Sequence, residues 1–342
     1  MEEKRTEIGE LGEFGLIERL AEGIHTRNKG TIKGIGDDAA VFDMGDKFLI
    51  TSSDMLMEGV HFDLSYMPLK HLGYKAVAVN ISDIAAMNGV PQQITVNLGL
   101  SNRFSVEAVE VIYEGIKAAC EEYNVDLVGG DTTSSHSGLV LSVTALGTVD
   151  KELITYRSGA QENDILCVTG DLGGAYVGLQ VLEREKQEFL ANPDMQPKLD
   201  NYDYVVGRQL RPKARMDIVH ELNGLGVKPT AMIDISDGLA SEAFHLCRQA
   251  NLGIAIYEDK LPIEKQAYET AAEFGIDPNA CALNGGEDYE LLFTIPQEDF
   301  EKLKNHADIH TIGFMQAASK GRGYVTRNQN VVELKAQGWK HF

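Results

Sequence analysis

The segment Phe48-Leu-Ile-Thr-Ser-Ser-Asp-Met-Leu-Met-Glu-Gly-Val-His-Phe62 constrains this chain more than any other. It opens on apolar and β-branched residues, the signature of a short buried strand. It then turns polar, with Ser52, Ser53 and Asp54 followed by Glu58, Gly59 and His61. A strand that ends in hydroxyls, a carboxylate and a histidine sets hard oxygen donors at a sheet edge, and open α/β sheets collect ligands at strand ends. A strand followed by a solvated turn would read the same in isolation. What separates the two readings is recurrence.

Similar acidic clusters return along the chain. Gly34-Ile-Gly-Asp-Asp-Ala-Ala-Val41 fits a GxGxxA pattern, but the residues before it do not read convincingly as a strand, and Asp37 and Asp38 would oppose the pyrophosphate that a dinucleotide loop holds with bare N–H groups. The acids make sense only with a divalent cation between them and a phosphate; an acidic turn is the alternative. Tyr74 to Met87 reads as a largely apolar helix with Asn80 and Asp83 three residues apart on one face. A carboxylate there is costly to bury without a partner, unless it lies on an exposed edge. Val125-Asp-Leu-Val-Gly-Gly-Asp-Thr-Thr133 reads as a strand running into a Gly-Gly turn and Asp131. Ala231-Met-Ile-Asp-Ile-Ser-Asp-Gly-Leu239 places Asp234, Ser236 and Asp237 ahead of a helix over 239–249, without the spacing or closing Glu of an EF-hand. Asn284-Gly-Gly-Glu-Asp-Tyr-Glu290 sets Glu287 and Asp288 after two glycines and before a strand.

Between these motifs the spacing predicts a helix over 14–24, strands over 94–100 and 139–149, and an amphipathic helix over 106–123. The pattern breaks around Tyr156–Asp164, which divides the 342 residues into domains 1–155 and 156–342. A strand over 165–169 restarts the second. The charged stretch 183–203 reads as an irregular surface excursion without chemistry. Arg208 to Arg215 is a basic island that fits a phosphate or, more simply, a solvated helix start. Trp339, the single tryptophan, reads as a packing anchor, with stacking on a flat ring as the alternative.

Composition excludes several classes. Lys and Arg total 31 against 52 Asp and Glu, a formal charge of -21, which repels nucleic acid and anionic membranes. Cys120, Cys167, Cys247 and Cys281 form no CxxC and read as buried small hydrophobes in a reducing cytosol. The charged first ten residues carry no signal-peptide core, and no apolar run reaches membrane-spanning length.

Asp38, Asp54, Asp83, Asp131, Asp234 and Asp237 cannot converge empty. Two like charges at about 4 Å repel by roughly 4 kcal/mol at an effective dielectric of 20, and several together would exceed a stability of about 5–15 kcal/mol. Oxygen-only ligands select Mg²⁺ or Mn²⁺, and Mg²⁺ is shared with substrate phosphates, so a polyphosphate is implied. The chain contains neither a GxxxxGK[ST] loop nor a protein-kinase motif set. The residues alone therefore reach a Mg-nucleotide enzyme and leave the acceptor open.

Taken in order, Gly-Ile-Gly-Asp-Asp-Ala-Ala, Ser-Ser-Asp-Met-Leu-Met-Glu-Gly-Val-His-Phe, Ala-Val-Asn-Ile-Ser-Asp-Ile-Ala-Ala-Met, Val-Gly-Gly-Asp-Thr-Thr, Ile-Ser-Asp-Gly-Leu and Gly-Gly-Glu-Asp-Tyr-Glu-Leu resemble the thiamine-monophosphate kinase family, from about Gly12 to Phe342. The resemblance implies an α/β (α+β) two-domain fold like that of aminoimidazole ribonucleotide synthetase, with mixed sheets and flanking helices. It implies transfer of the ATP γ-phosphoryl to thiamine monophosphate, the last step of thiamine diphosphate biosynthesis, and a cytoplasmic homodimer joined through its N-terminal domains. Carried over by motif, Asp38, Ser52, Ser53, Asp54, Asp83, Asp131, Asp234 and Asp237 would hold several Mg²⁺ ions. Tyr113, Gly130, Asp131, Arg157 and Ser236 would touch ATP, and His61, Glu287 and Trp339 the thiamine monophosphate. One departure is Asn88, where the resemblance leads to glycine. A selenophosphate synthetase would need a reactive cysteine near its N-terminus, whereas the first here is Cys120.

The implied chemistry asks for no general base. The acceptor is a phosphate with a second pKa of about 6, already anionic at neutral pH. Catalysis then reduces to positioning and charge neutralisation, with no covalent phospho-enzyme and with His61 as a binder. A non-catalytic Mg-nucleotide sensor is the alternative of a different class; it would show no acceptor-dependent turnover.

Overall fold

The computed structural model describes residues 7–338. The first sheet is built from β1 (Thr31–Lys33), β2 (Ala40–Asp43), β3 (Lys47–Met57), β4 (Val90–Leu100), β5 (Asp126–Ser134) and β6 (Val140–Asp150), in the order β1-β2-β3-β6-β4-β5. Its pairs are antiparallel except β4 with β5. Along β6 buried and half-buried residues alternate strictly, Leu141, Val143, Ala145 and Val149 facing the core. Helix α2 (Leu69–Ala86) covers that inner face and is itself packed beneath α3 (Val106–Tyr123). The two helices meet at glycines: a Cβ on Gly73 would lie 2.0 Å from the Ile112 carbonyl oxygen, and one on Gly115 1.8 Å from that of Lys70. Because α2 is covered on several sides it is buried at most of its positions, so its apolar character runs all round instead of forming a stripe.

The second sheet contains β7 (Ile165–Thr169), β8 (Ala231–Asp234), β9 (Gly253–Tyr257), β10 (Leu291–Ile295), β11 (Ile309–Gln316), β12 (Arg322–Val325) and β13 (Val331–Glu333), in the order β13-β12-β9-β11-β7-β10-β8. Its pairs are antiparallel except β9 with β12. The helices are α1 (Ile8–Ala21), then α4 (Gly174–Ala191), α5 (Asp203–Leu210), α6 (Met216–Gly224), α7 (Leu239–Ala250), α8 (Lys265–Glu273), α9 (Pro278–Asn284) and α10 (Phe300–Leu303). Strands β8 and β10 are buried at every residue, as covered strands with continuous apolar runs should be. Helix α2 also contacts β8, α5 and α6, so it joins the two halves. Among the described residues no helix is long and apolar enough to cross a membrane.

Several local expectations change. The polar residues Ser52, Ser53 and Asp54 do not end a strand: β3 continues through them to Met57, paired residue by residue with β6. The Gly-Gly of 129–130 is not a turn either, since β5 runs through it to Ser134 beside β4, with a bulge at Val128 just before. The N-terminal helix begins at Ile8 and stops at Ala21, before Gly23 in a left-handed conformation at φ 79°. The first half of the 183–203 stretch is the end of α4. Asn88 adopts φ 57°, where glycine costs least and asparagine is tolerated, and its side chain donates to the Leu153 carbonyl at 2.8 Å.

Candidate active site

Three segments far apart in sequence meet at the C-terminal half of α2. Asn80 Oδ1 accepts from the Asp54 backbone N–H at 3.0 Å, while its amide donates to the Ala76 carbonyl at 3.0 Å, which pins β3 to the helix. One turn on, Ser52 Oγ donates to Asp83, and Ser82 Oγ donates to Asp234 Oδ2 at 2.5 Å. Carboxylate oxygens of Asp38, Asp83 and Asp234 all lie within 4.8 Å of one another. Arg157, from the segment between the sheets, closes the group with a bidentate pair to Asp38 at 3.0 and 2.6 Å, and its backbone N–H reaches Asp37 at 3.1 Å.

The electrostatics follow from burial. Asp234 is 4% exposed, and burial, then Asp38, push its carboxyl up to about 7 against the Ser82 hydrogen bond and Arg157. Asp83 is driven well above the carboxylate range by burial and by Asp54, Asp234 and Asp38. Burial also raises Asp54, partly offset by a hydrogen bond with Asp83. One arginine does not neutralise four such acids. An all-oxygen, converging and under-neutralised donor set fits a hard divalent cation.

The acids line one side of a cleft of about 1080 Å³. Ser236 and Asp237 line it from the loop before α7. That loop is held by Glu242, which accepts from both backbone N–H groups at 3.2 and 2.8 Å. Burial, then Asp237, raise the Glu242 carboxyl to about 8. His61, Glu287 and Tyr289 line the same cleft, with Tyr289 near enough to Asp54 and Asp234 for their charges to add to the burial that raises its hydroxyl. His61 Nδ1 accepts from the Met57 N–H at 3.0 Å, so a neutral ring carries its proton on Nε2. Glu183 and Lys186 of α4 line it as well, Lys186 bridging to Asp63 at 2.8 Å.

Asp38, Ser52, Ser53, Asp54, Asp83, Arg157, Asp234, Ser236, Asp237, His61 and Glu287 are thus brought to one cleft. Gly130, Asp131 and Tyr113 do not line it. Across the sheet Asp54 is level with Val143, Val96 and Gly130, whereas Asp131 is level with Asn97, Ser142 and Met55. Side chains alternate between faces, so Asp131 points to the outer face, opposite to Asp54 and about 14 Å away by strand spacing. All nine residues of β5 are exposed. Tyr113 sits half-buried on α3 against the core. Trp339 lies outside the described residues. The basic island serves neither role expected of it: Arg215 is 8% exposed and pairs with Glu290 at 2.7 Å, and Arg208 pairs with the same carboxylate at 2.9 Å.

Sequence reading missed Glu242, Lys75 and Lys186. Glu242 carried a signal, an acid in the first turn of a helix, where it can satisfy unpaired N–H groups. Lys75 carried another, a lone lysine within the apolar run of α2.

Comparison with known proteins places this architecture. Residues 36–149 match the N-terminal domain, and residues 161–333 the C-terminal domain, of AIR synthase related proteins. The structure of HypE in complex with ATP shares the fold at a TM-score of 0.69 and 17% identity. Much nearer is the thiamine-monophosphate kinase of Aquifex aeolicus, 35% identical over 98% of this chain and 99% of that protein. The one from Bacillus subtilis is 35% identical over 97% of this chain and 100% of that one. A solved structure of AaThiL complexed with AMPPCP and TMP superposes with a TM-score of 0.84 at 34% identity, covering 99% of this chain and 100% of that one. The chain belongs to the thiamine-monophosphate kinase family.

Proposed function

We propose that this chain transfers the γ-phosphoryl of ATP to thiamine monophosphate, giving thiamine diphosphate and ADP, in the cytosol. The observation that carries the reading is the meeting of Asp38, Asp83 and Asp234 within 4.8 Å at the wall of a cleft that His61 and Glu287 also line. Asp38, Ser52, Ser53, Asp54, Asp83, Asp234 and Asp237 hold Mg²⁺ ions, more than one because the acids extend along the cleft. Bound there, the ions supply neutralisation of two polyanions that would otherwise repel. Arg157 and Ser236 meet the nucleotide phosphates. His61 and Glu287 orient the acceptor, whose phosphate attacks in line without a base, since it is already an anion. The cleft residues hold both substrates in that geometry and screen the reacting oxygens from water. An assay of ADP release with and without thiamine monophosphate, across Mg²⁺ concentrations, tests this; release independent of thiamine monophosphate, or none, refutes it.

The two domains are residues 1–155 and 156–342, and the working unit is a homodimer. The support is β5, a nine-residue edge strand exposed along its length, which a soluble protein normally covers. A second copy lying on this face would bring Gly130 and Asp131 to the nucleotide end of its neighbour's cleft. Tyr113 and Trp339 are kept as nucleotide and substrate contacts. Mixing Asp83→Asn with Asp131→Asn tests the exchange: each alone is inactive, and mixed dimers regain one working site if Asp131 crosses the interface. Failure of subunit-exchanged dimers to regain activity would place Asp131 elsewhere.

A further inference from the structure

We infer that Lys75, which lies outside the cleft, is the positioning residue that sets Glu287 for the acceptor substrate. The inference rests on the reading of Glu287 as a substrate contact. The Lys75 side chain is fully buried on α2, two turns before Asp83. Its ammonium donates to Glu287 Oε2 and to the Gln209 carbonyl at 3.2 Å. A buried ammonium without a counter-charge is heavily disfavoured, so the ion pair ties the first half of the chain to the second where the cleft passes between them.

Glu287 is held by its backbone and by Tyr289 as well. Its backbone occupies φ 61°, which L residues rarely adopt, and its N–H donates to the Ser236 carbonyl at 2.6 Å. The preceding Gly286 leaves no room to move: a Cβ there would lie 2.6 Å from Ser236 O. The Tyr289 hydroxyl donates to Oε1 at 3.1 Å, from a residue that is also left-handed at φ 52°. Glu287 nevertheless keeps 29% of its side chain exposed, and it lines the cleft where Lys75 does not. Lys75, with the Gln209 amide at 3.5 Å, holds Oε2, and Tyr289 holds Oε1, so the part of the carboxylate left exposed is the part that meets the cleft. Such a carboxylate is an acceptor for an N–H donor of the substrate. Lys75 thereby couples the substrate acid to the same helix that carries Asp83, fixing the distance between the acceptor's organic end and its phosphate.

The test compares Lys75→Met, Lys75→Arg, Glu287→Gln and the Lys75→Met/Glu287→Gln pair in the full-length enzyme. Lys75→Met is expected to raise KM for thiamine monophosphate by about tenfold, the size of one lost charged hydrogen bond. KM for ATP should stay within about twofold, and Lys75→Arg should recover part of the loss. In the double variant the KM for thiamine monophosphate should match that of Glu287→Gln alone, because the lysine acts through the glutamate. No charge is left unpaired there, so the double variant keeps the test open if Lys75→Met does not fold. Equal rises in both KM values, or effects that multiply in the double variant, would overturn the inference. An unchanged KM in Glu287→Gln, with the wild type converting thiamine monophosphate, would overturn the substrate role of Glu287 and the inference with it. If the wild type releases no ADP, the kinase reading has failed on its own account. Calorimetric binding of thiamine monophosphate to the same four variants then decides the role of Lys75 by the same pattern.

Discussion

Replacing Asp234 by asparagine should make the metal-free protein more stable at neutral and alkaline pH. The folded-state carboxyl is raised from its ordinary 3.8 to about 7, so the fold favours the protonated form. A raised folded pKa contributes stability that is fully present below the unfolded value and is lost as pH rises through the folded one. The gap between 3.8 and about 7 is worth about 4 kcal/mol, lost progressively between about pH 4 and pH 7. Asparagine abolishes that titration and can still accept the Ser82 hydroxyl with its carbonyl oxygen, while its amide can donate to Asp38. Part of the 4 kcal/mol is shared with Asp38 and Asp54, so we expect a gain of roughly 2–4 kcal/mol at pH 8. That corresponds to a melting temperature higher by roughly 3–6 °C. The assay is thermal unfolding of both proteins in EDTA at pH 5 and pH 8, repeated with Mg²⁺. The gap should widen from pH 5 to pH 8. Mg²⁺ should then close or invert it, because the wild type gains about 2.7 kcal/mol at a metal concentration of a hundred times Kd and the variant loses a ligand. An Asp234→Asn protein no more stable than wild type in EDTA at pH 8, or a gap insensitive to pH, would refute the account of a self-repelling cluster.

Asp54→Asn should abolish acceptor-dependent ADP release and leave the circular dichroism spectrum unchanged; loss of the fold would make Asp54 structural. Rapid quenching during turnover with γ-labelled ATP should trap no acid-labile phosphohistidine, and label on His61 would contradict direct transfer. Gly115→Ala should destabilise by about 3 kcal/mol or more in a denaturant titration, since a Cβ there would lie 1.8 Å from the Lys70 carbonyl oxygen and the helices cannot separate without losing their contact. Asn88→Ala should cost about 1–2 kcal/mol, through strain at φ 57° and the lost bond to Leu153, while Asn88→Gly should cost less because it removes the strain.

What could be read from the sequence and what could not divide along physical lines. The elements whose period is repeated over many residues, such as α3 with its Ser105 cap and its left-handed Asn124 end, have the bounds that the spacing predicts. The acids were legible because a carboxylate placed among apolar residues needs a reason, and Asp38, Asp83 and Asp234 share theirs. Strand ends were not legible, because polarity inside a strand looks the same whether it faces water or a cleft. Ser52 and Asp54 face a cleft, while Ser53, bonded to the Thr144 hydroxyl at 2.9 Å, and Asp131 face the open side of the sheet; the sequence shows both stretches only as polar breaks. Nor does local pattern name a partner remote in sequence. Arg208 and Arg215 read as a solvated patch only because Glu290 lies 82 and 75 residues away. The Glu287-Asp-Tyr-Glu290 run shows the limit most clearly. In the sequence Glu287 and Asp288 stand out alike after the two glycines, yet left-handed backbone at Glu287 and Tyr289 goes with those two lining the cleft. Asp288 and Glu290 turn the other way, where Asp288 accepts from the Gly173 N–H at 2.9 Å and Glu290 binds both arginines. The inward pair anchors the turn that the outward pair uses. Loosening the arginine network should therefore disturb substrate affinity from a distance, through the position of Glu287, before it disturbs the acids of α2.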